Sequence, residues 1–331
     1  MGNPYIYASS YIRSCESKLL REEQLRSLCD AKSVDDIFKV LQDAGYDADG
    51  KALTIGNYQE ALEQAEHEMF DEVTELSKGQ PAVDVFRYPS DYHNIKVLLK
   101  AEGLGIERTD ILMENGTIPA EEMVRSIRER DFISLTPHMA EAVTMAVDTH
   151  ARTSDPQYID CICDRYCYED IREAAERSEN DFVRGYVERR IDTLNWMTFL
   201  RCRWMERPWS FFEEVFLEGG SIGKPVFNGA YEDDDKHVGE HFTATVLGDI
   251  VSDGLEAMAK DGTFTRMEKL CDDLLMEYAG EAKTVTFGIE PLVAYIIAKQ
   301  NEIRCIRILL AGRVASMDPE VIRERLRETY E

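Results

Sequence analysis

The string with the sharpest chemical content is His237-Val-Gly-Glu240-His241. Two histidines four residues apart share one face of an α-helix and can hold zinc, and the glutamate between them can activate a bound water, as in HxxEH metallopeptidases. Gly239 weakens such a helix by up to ~1 kcal/mol, and the strand-rich scaffold of that class is not predicted, so a polar helix start is the favoured reading. A second string, Gly219-Gly220-Ser-Ile-Gly223-Lys224, is rich in glycine and carries a lysine, the ingredients of a phosphate cradle. Such a cradle normally lies between a strand and a helix; here the glycines follow a helix. Cys161, Cys163 and Cys167 are the tightest group of thiols. Only two of them share a helix face and no histidine is near, so they read as buried, reduced cysteines and not as a zinc site. The acidic stretch from Tyr231 to His237 lacks the spacing and glycine of an EF-hand. His67 and His93 lack the Glu-x-x-His pairing of a di-iron bundle. No Walker loop, dinucleotide fingerprint or GxSxG elbow is present. The sequence therefore predicts no catalytic residue, no cofactor and no metal.

The elements that would have to position these groups are helical. Residues 58–77, 158–177 and 290–314 repeat apolar residues at helical spacing, the last with Leu292, Ile296, Ile303, Ile306 and Leu310 on one stripe. Residues 12–31 carry a similar pattern. Ser33 precedes a helix as its cap, with Asp36 at the capping-box position. Thr284–Phe287 is an isolated β-like piece. The fold class is all-α.

The chain has 331 residues, 44% of them hydrophobic, enough for two to three domains. It carries 38 Lys and Arg against 64 Asp and Glu, a net charge of −26. That charge repels phosphate, so nucleic acid is not an expected partner. It equally disfavours anionic lipid surfaces. No apolar run reaches the ~18 residues of a membrane span, so no lipid insertion is expected. The N-terminus lacks a secretory pattern, and Gly2 lacks the Ser or Thr of a myristoylation signal. Eight cysteines with no scaffold spacing fit a reducing, cytosolic compartment.

An internal repeat organises the chain. Asn94-Ile-Lys-Val-Leu-Leu99-Lys100 matches Asn195-Trp-Met-Thr-Phe-Leu200-Arg201 and Asn301-Glu-Ile-Arg-Cys-Ile306-Arg307, with the asparagines 101 and 106 residues apart. Glu114-Asn-Gly116-Thr-Ile118 matches Glu218-Gly-Gly220-Ser-Ile222 at an offset of 104, and Asp160–Glu169 matches Glu268–Glu277 at 108. The glycine-containing pieces read as C-terminal stops of the repeat helices. The spacing predicts three similar helical-bundle lobes in a pseudo-threefold arrangement, near 1–118, 119–222 and 223–331. Lys100, Arg201 and Arg307 occupy the same place in each. They either anchor their lobes by pairing with acids of the preceding helix or grip a partner's helix ends or carboxylates.

Three stretches carry a family resemblance: Tyr5 through Leu20; Phe86-Arg-Tyr88-Pro89-Ser-Asp91-Tyr-His93-Asn94 through Lys100; and Glu290-Pro291 through Arg307, closing with Pro319–Leu326. In these the chain resembles, nearly end to end, the C subunits of the V-type/A-type rotary ATPases and ATP synthases, related to the d subunit of the eukaryotic V-ATPase. The resemblance implies a three-lobed, funnel- or socket-shaped helical protein on the cytoplasmic face of the membrane. It would be non-catalytic on its own and couple the central shaft, made of the D and F subunits, to the membrane rotor ring in ATP-linked ion transport or ATP synthesis. The alternatives are a generic helical scaffold or adaptor, and a metal-dependent hydrolase built on the HxxEH string.

Overall fold

A computed structural model describes residues 5–47 and 50–331, with the side chains of Asp235 and Lys236 left aside. The expectation for Gly2 and part of that for the acidic stretch lie outside the described residues. Sixteen α-helices follow in order: α1 (Ile6–Glu16), α2 (Glu22–Cys29), α3 (Val34–Asp43), α4 (Tyr58–Ser77), α5 (Pro81–Leu104), α6 (Ala120–Glu129), α7 (Pro137–Thr153), α8 (Gln157–Arg177), α9 (Asp181–Trp204), α10 (Trp209–Val215), α11 (Lys224–Ala230), α12 (Asp235–Val238), α13 (Gly248–Asp261), α14 (Thr265–Gly280), α15 (Glu290–Val314) and α16 (Pro319–Arg325). Short 3₁₀ turns occupy Gly239–Phe242 and Glu281–Thr284. No strand is present among the described residues, so the all-α class holds. Thr284 ends a 3₁₀ turn, and the residues after it form no strand either. The periodic stretch 12–31 divides into α1 and α2 on either side of Leu19 and Leu20. As expected, the Ser33 hydroxyl accepts from the Asp36 amide at 3.2 Å. The Asp36 carboxylate accepts in return from the Ser33 hydroxyl at 2.9 Å.

The chain divides into two compact units, Met1–Gly79 with Glu232–Glu331 and Gln80–Tyr231. In the first, which holds both chain ends, α15 is the axis. It packs against α1, α2, α3, α4, α14 and α16. That encirclement explains why Leu292 to Ala298 are buried without a break, where the spacing predicts a single stripe: a helix covered on all sides needs no polar face. Ile303, Ile306, Leu309 and Leu310 of α15 meet Leu25, Leu28, Ile37, Phe38, Leu41 and Leu62 in one core. Polar pins cross it. Glu302, buried, accepts from the Leu20 amide at 2.6 Å, from the Tyr46 hydroxyl and from Lys299 at 2.9 Å. Arg13 of α1 reaches the carbonyls of Ala282 and Val285, both at 3.0 Å.

In the mid-chain unit α8 is the most embraced helix, packing against α5, α7 and α9. Lys96 meets Asp164 at 2.5 Å and Lys100 meets Asp160 at 2.6 Å, so α5 and α8 run antiparallel. The far end of α9 is held by an aromatic cluster in which Phe199 contacts Trp196, Phe212, Phe227 and Tyr231 at centroid distances of 5.5–5.7 Å. Such ring pairs contribute about 0.5–1.5 kcal/mol each beyond their buried area.

Candidate functional site

The strings with catalytic content are each resolved by local geometry. His237 and His241 straddle the change from α12 to a 3₁₀ turn at Gly239, and the tighter winding takes positions i and i+4 off a common face. Each ring has its own acid, His237 with Asp234 at 2.8 Å and His241 with Asp233 at 2.7 Å. Hydrogen bonding to Asp234 raises the His237 pKa, which suits a surface imidazolium rather than a ligand. The glycine string turns two of its amides inward: those of Ser221 and Ile222 bond the protein's own Asp192 carboxylate at 3.1 and 3.0 Å. Lys224 pairs with Glu218 at 2.8 Å. Burial pushes the Cys161 and Cys163 thiols up to about 11 and about 12, so neither supplies a thiolate. His93 bonds the Ile111 carbonyl at 3.1 Å. A cavity of about 410 Å³ opens beside α2 and α14, but its cations are spoken for: Arg26 pairs with Glu22, Arg266 with Asp253, Lys269 with Asp273, Arg323 with Asp30 and Arg327 with Asp272.

What the repeat residues build is a backbone clasp. Asn94, buried in α5, accepts from the Met113 amide and donates to the Met113 carbonyl, both at 2.8 Å. Asn195 in α9 does the same to Leu217, at 2.9 and 2.8 Å. A carboxamide used this way replaces a neighbouring peptide strand and satisfies both polar groups of one residue. One helical turn earlier, Asp91 accepts from the Thr117 amide and hydroxyl (2.9 and 2.7 Å) and the Ile118 amide (3.1 Å). Asp192 accepts in the same way from Ser221 (3.1 and 2.6 Å) and Ile222 (3.0 Å). The third copy is a variant. Asn301 donates to the Glu328 carbonyl at 2.7 Å, while the Glu328 amide goes to Asp273 of α14 at 2.8 Å. Ala298 stands where the other copies have the aspartate.

The two glycines of the matched pieces have a different role from the one expected. They do not stop helices; α5 ends at Gly105 with φ +66° and α9 at Met205. A Cβ at Gly116 would lie 2.1 Å from Asp91 Oδ1, and one at Gly220 would lie 2.3 Å from Asp192 Oδ1. The missing side chain admits the carboxylate.

The three repeat cations have different surroundings. Lys100 is half-buried and bonds both oxygens of Asp160 at 2.6 and 2.8 Å, an acid of α8 and not of the helix preceding its own. Arg201 is exposed. Arg307 is half-buried and has no hydrogen bond or ion pair among the described residues. Gln300 bonds Glu66 at 2.9 Å, and counting along the antiparallel pair α15 and α4 from that contact puts Arg307 opposite Gln59, where α8 has Asp160. A feature missed in the sequence accompanies these cations. The last residue of each long repeat helix is an exposed apolar side chain: Leu104 is 73% exposed, Trp204 67% and Val314 49%. Each stands within two turns of its cation. The signal in the sequence is an apolar residue after the helix pattern ends, which composition alone does not separate from core.

Comparison with known proteins follows the same lines. Residues 8–325 match the family model described as ATP synthase (C/AC39) subunit. The C subunit of the V-type sodium ATPase of Enterococcus hirae is 23% identical over 320 residues, covering 97% of both chains. The C subunit of the A-type ATP synthase of Methanocaldococcus jannaschii is 22% identical, covering 98% of this chain and 86% of its own. Its counterpart in Haloferax volcanii is 22% identical over 97% and 96%.

Proposed function

We propose that this chain, which belongs to the ATP synthase (C/AC39) subunit family, passes rotation between a central shaft of D and F subunits and the membrane rotor ring. Members of the family are structural parts of the rotary complex and not catalytic by themselves. The observation that carries the proposal is the match across residues 8–325. The site geometry supports it, since the HxxEH histidines and the Ser221, Ile222 and Lys224 groups of the glycine string are engaged in internal contacts.

In this reading the long helices α5, α9 and α15 each present a C-terminal end to a partner. Each end offers carbonyl dipoles, a cation and an exposed apolar residue, a combination suited to another helix end. No helix of the described residues is long and apolar enough to cross a membrane. With a net charge of −26, attachment to the membrane sector runs through protein and not lipid, and at least one partner surface is basic, which orients docking. A generic adaptor role would need none of this specificity.

The test is binding of the purified chain to a shaft assembled from D and F. Arg307→Glu changes a cation without a partner among the described residues, so the fold is kept and shaft binding falls at least tenfold. Lys100→Glu sets two acids face to face and lowers stability by about 1 kcal/mol, discounted for solvent screening. Shaft binding unchanged in Arg307→Glu and in Trp204→Ser would remove the helix ends from the interface. Failure of the wild-type chain to bind D and F would refute the proposal.

A further inference from the structure

A cluster in the mid-chain unit is used neither by the clasps nor by the helix ends. His138 is the second residue of α7, and Glu169, Asp170 and Glu173 lie on the facing side of α8. One ligand atom each from His138, Asp170 and Glu173 lie within 4.8 Å of one another. The His138 ring lies between two carboxylates, with Nδ1 3.2 Å from Glu169 and Nε2 3.4 Å from Glu173. A neutral imidazole has a single N–H, so one of these contacts sets a lone pair against an anion. Only a second proton or a metal ion resolves that conflict.

The surroundings favour the metal. Asp170 is 3% exposed, and its Oδ2 is held by two hydroxyl donors, Tyr92 of α5 at 2.7 Å and Thr136 at 2.7 Å. Thr136 is itself fixed as the cap of α7, accepting from the Met139 amide at 3.0 Å. No group among the described residues bonds Oδ1, and that oxygen is not sealed from solvent, so it is open to water or to an ion. Glu169 stands where an outer carboxylate orients a metal-binding histidine, receiving Nδ1–H and turning the Nε2 lone pair inward. Glu173 is exposed and leaves one side open to water.

We propose that His138, Asp170 and Glu173 bind one divalent transition-metal ion, with Glu169, Tyr92 and Thr136 orienting the ligands. One imidazole and two carboxylates with an open position suit zinc among such ions. The ion would tie α7 to α8 beside α5 and stiffen the unit without any catalytic step. Neither the HxxEH string nor the cysteine group takes part.

The test is calorimetric titration of the chelator-treated full chain with Zn²⁺ alone, in excess Mg²⁺ to saturate weak binding by the acidic surface. The expected result is one Zn²⁺ per chain, weakened at least tenfold in His138→Ala and in Glu173→Gln and several-fold in Glu169→Gln. The double variant His237→Ala/His241→Ala should bind as wild type. Metal-free His138→Ala should melt with metal-free wild type, because the ring is half-exposed, while the melting increment from Zn²⁺ is lost. Absence of saturable binding, or binding unchanged in both His138→Ala and Glu173→Gln, overturns the proposal.

Discussion

Replacing Asp192 tests whether the clasp is an energetic unit. Its carboxylate is wholly buried, and all three of its partners are donors. In Asp192→Ala the Ser221 groups, which are exposed, turn to water at small cost. The Ile222 amide is buried and has no second acceptor, so its loss costs about 1–3 kcal/mol. The charge-assisted bonds at Ser221 add about 1 kcal/mol after rehydration. The sum is about 3 kcal/mol. Asp192→Asn is milder, because its oxygen can still serve Ile222 while its NH₂ turns to the Ser221 hydroxyl; about 1 kcal/mol is expected. The assay is native-state hydrogen exchange of the Ile222 amide, which reads local opening without assuming that both units unfold together. In Asp192→Ala exchange should quicken by about 150-fold, the factor for 3 kcal/mol, and in Asp192→Asn by about fivefold. Exchange at Ile222 that is unchanged in the alanine variant, or faster in the asparagine variant than in the alanine variant, would refute the reasoning.

Three further outcomes follow from the same geometry. Asp91 has its pKa raised to about 6, chiefly by burial, with its hydrogen bonds pulling the other way. Since the folded value exceeds the unfolded one, its contribution to stability is full below about pH 4 and is lost as pH rises through about 6; a carboxyl carbon titration by NMR should give a midpoint near 6, and one below 4 would contradict it. Gly116→Ala and Gly220→Ala drive a Cβ into a clasp carboxylate at 2.1 and 2.3 Å and should each cost about 2 kcal/mol, seen as a lower melting temperature, whereas Gly280→Ala, with nothing within 4 Å, should not. Glu302→Ala strands the Lys299 ammonium and the Leu20 amide, costing about 3–5 kcal/mol, and should lower the urea midpoint of the chain more than Glu302→Gln.

The sequence-based expectations succeed where one segment decides the outcome. Residues 58–77 and 290–314 are α4 and α15 to the residue, because a long apolar repeat is a local signal. The repeat is legible through Asn94, Asn195 and Asn301, and each proves to clasp a downstream backbone. The aspartate three residues earlier, in Asp91-Tyr-His-Asn94 and Asp192-Thr-Leu-Asn195, is a matching signal in two copies. It is hidden because the third copy has Ala298, and without the aspartate the glycines look like helix stops. The pairing of Lys100 with Asp160, and of His138 with Asp170 and Glu173, is not legible. Those contacts depend on how α5, α7 and α8 pack, and residues tens of positions apart carry no mutual signal in a single sequence. The HxxEH string shows the converse: its spacing is right, but a 3₁₀ turn at Gly239 removes the face that the spacing presumes.

The proposal that this chain carries torque as a passive coupling is tested most directly in vesicles holding the complete rotary ATPase, with the chain omitted and then restored. ATP hydrolysis should persist in its absence while ATP-driven ion pumping stops, and adding the chain back should restore pumping. Pumping that is undiminished without it would contradict the account.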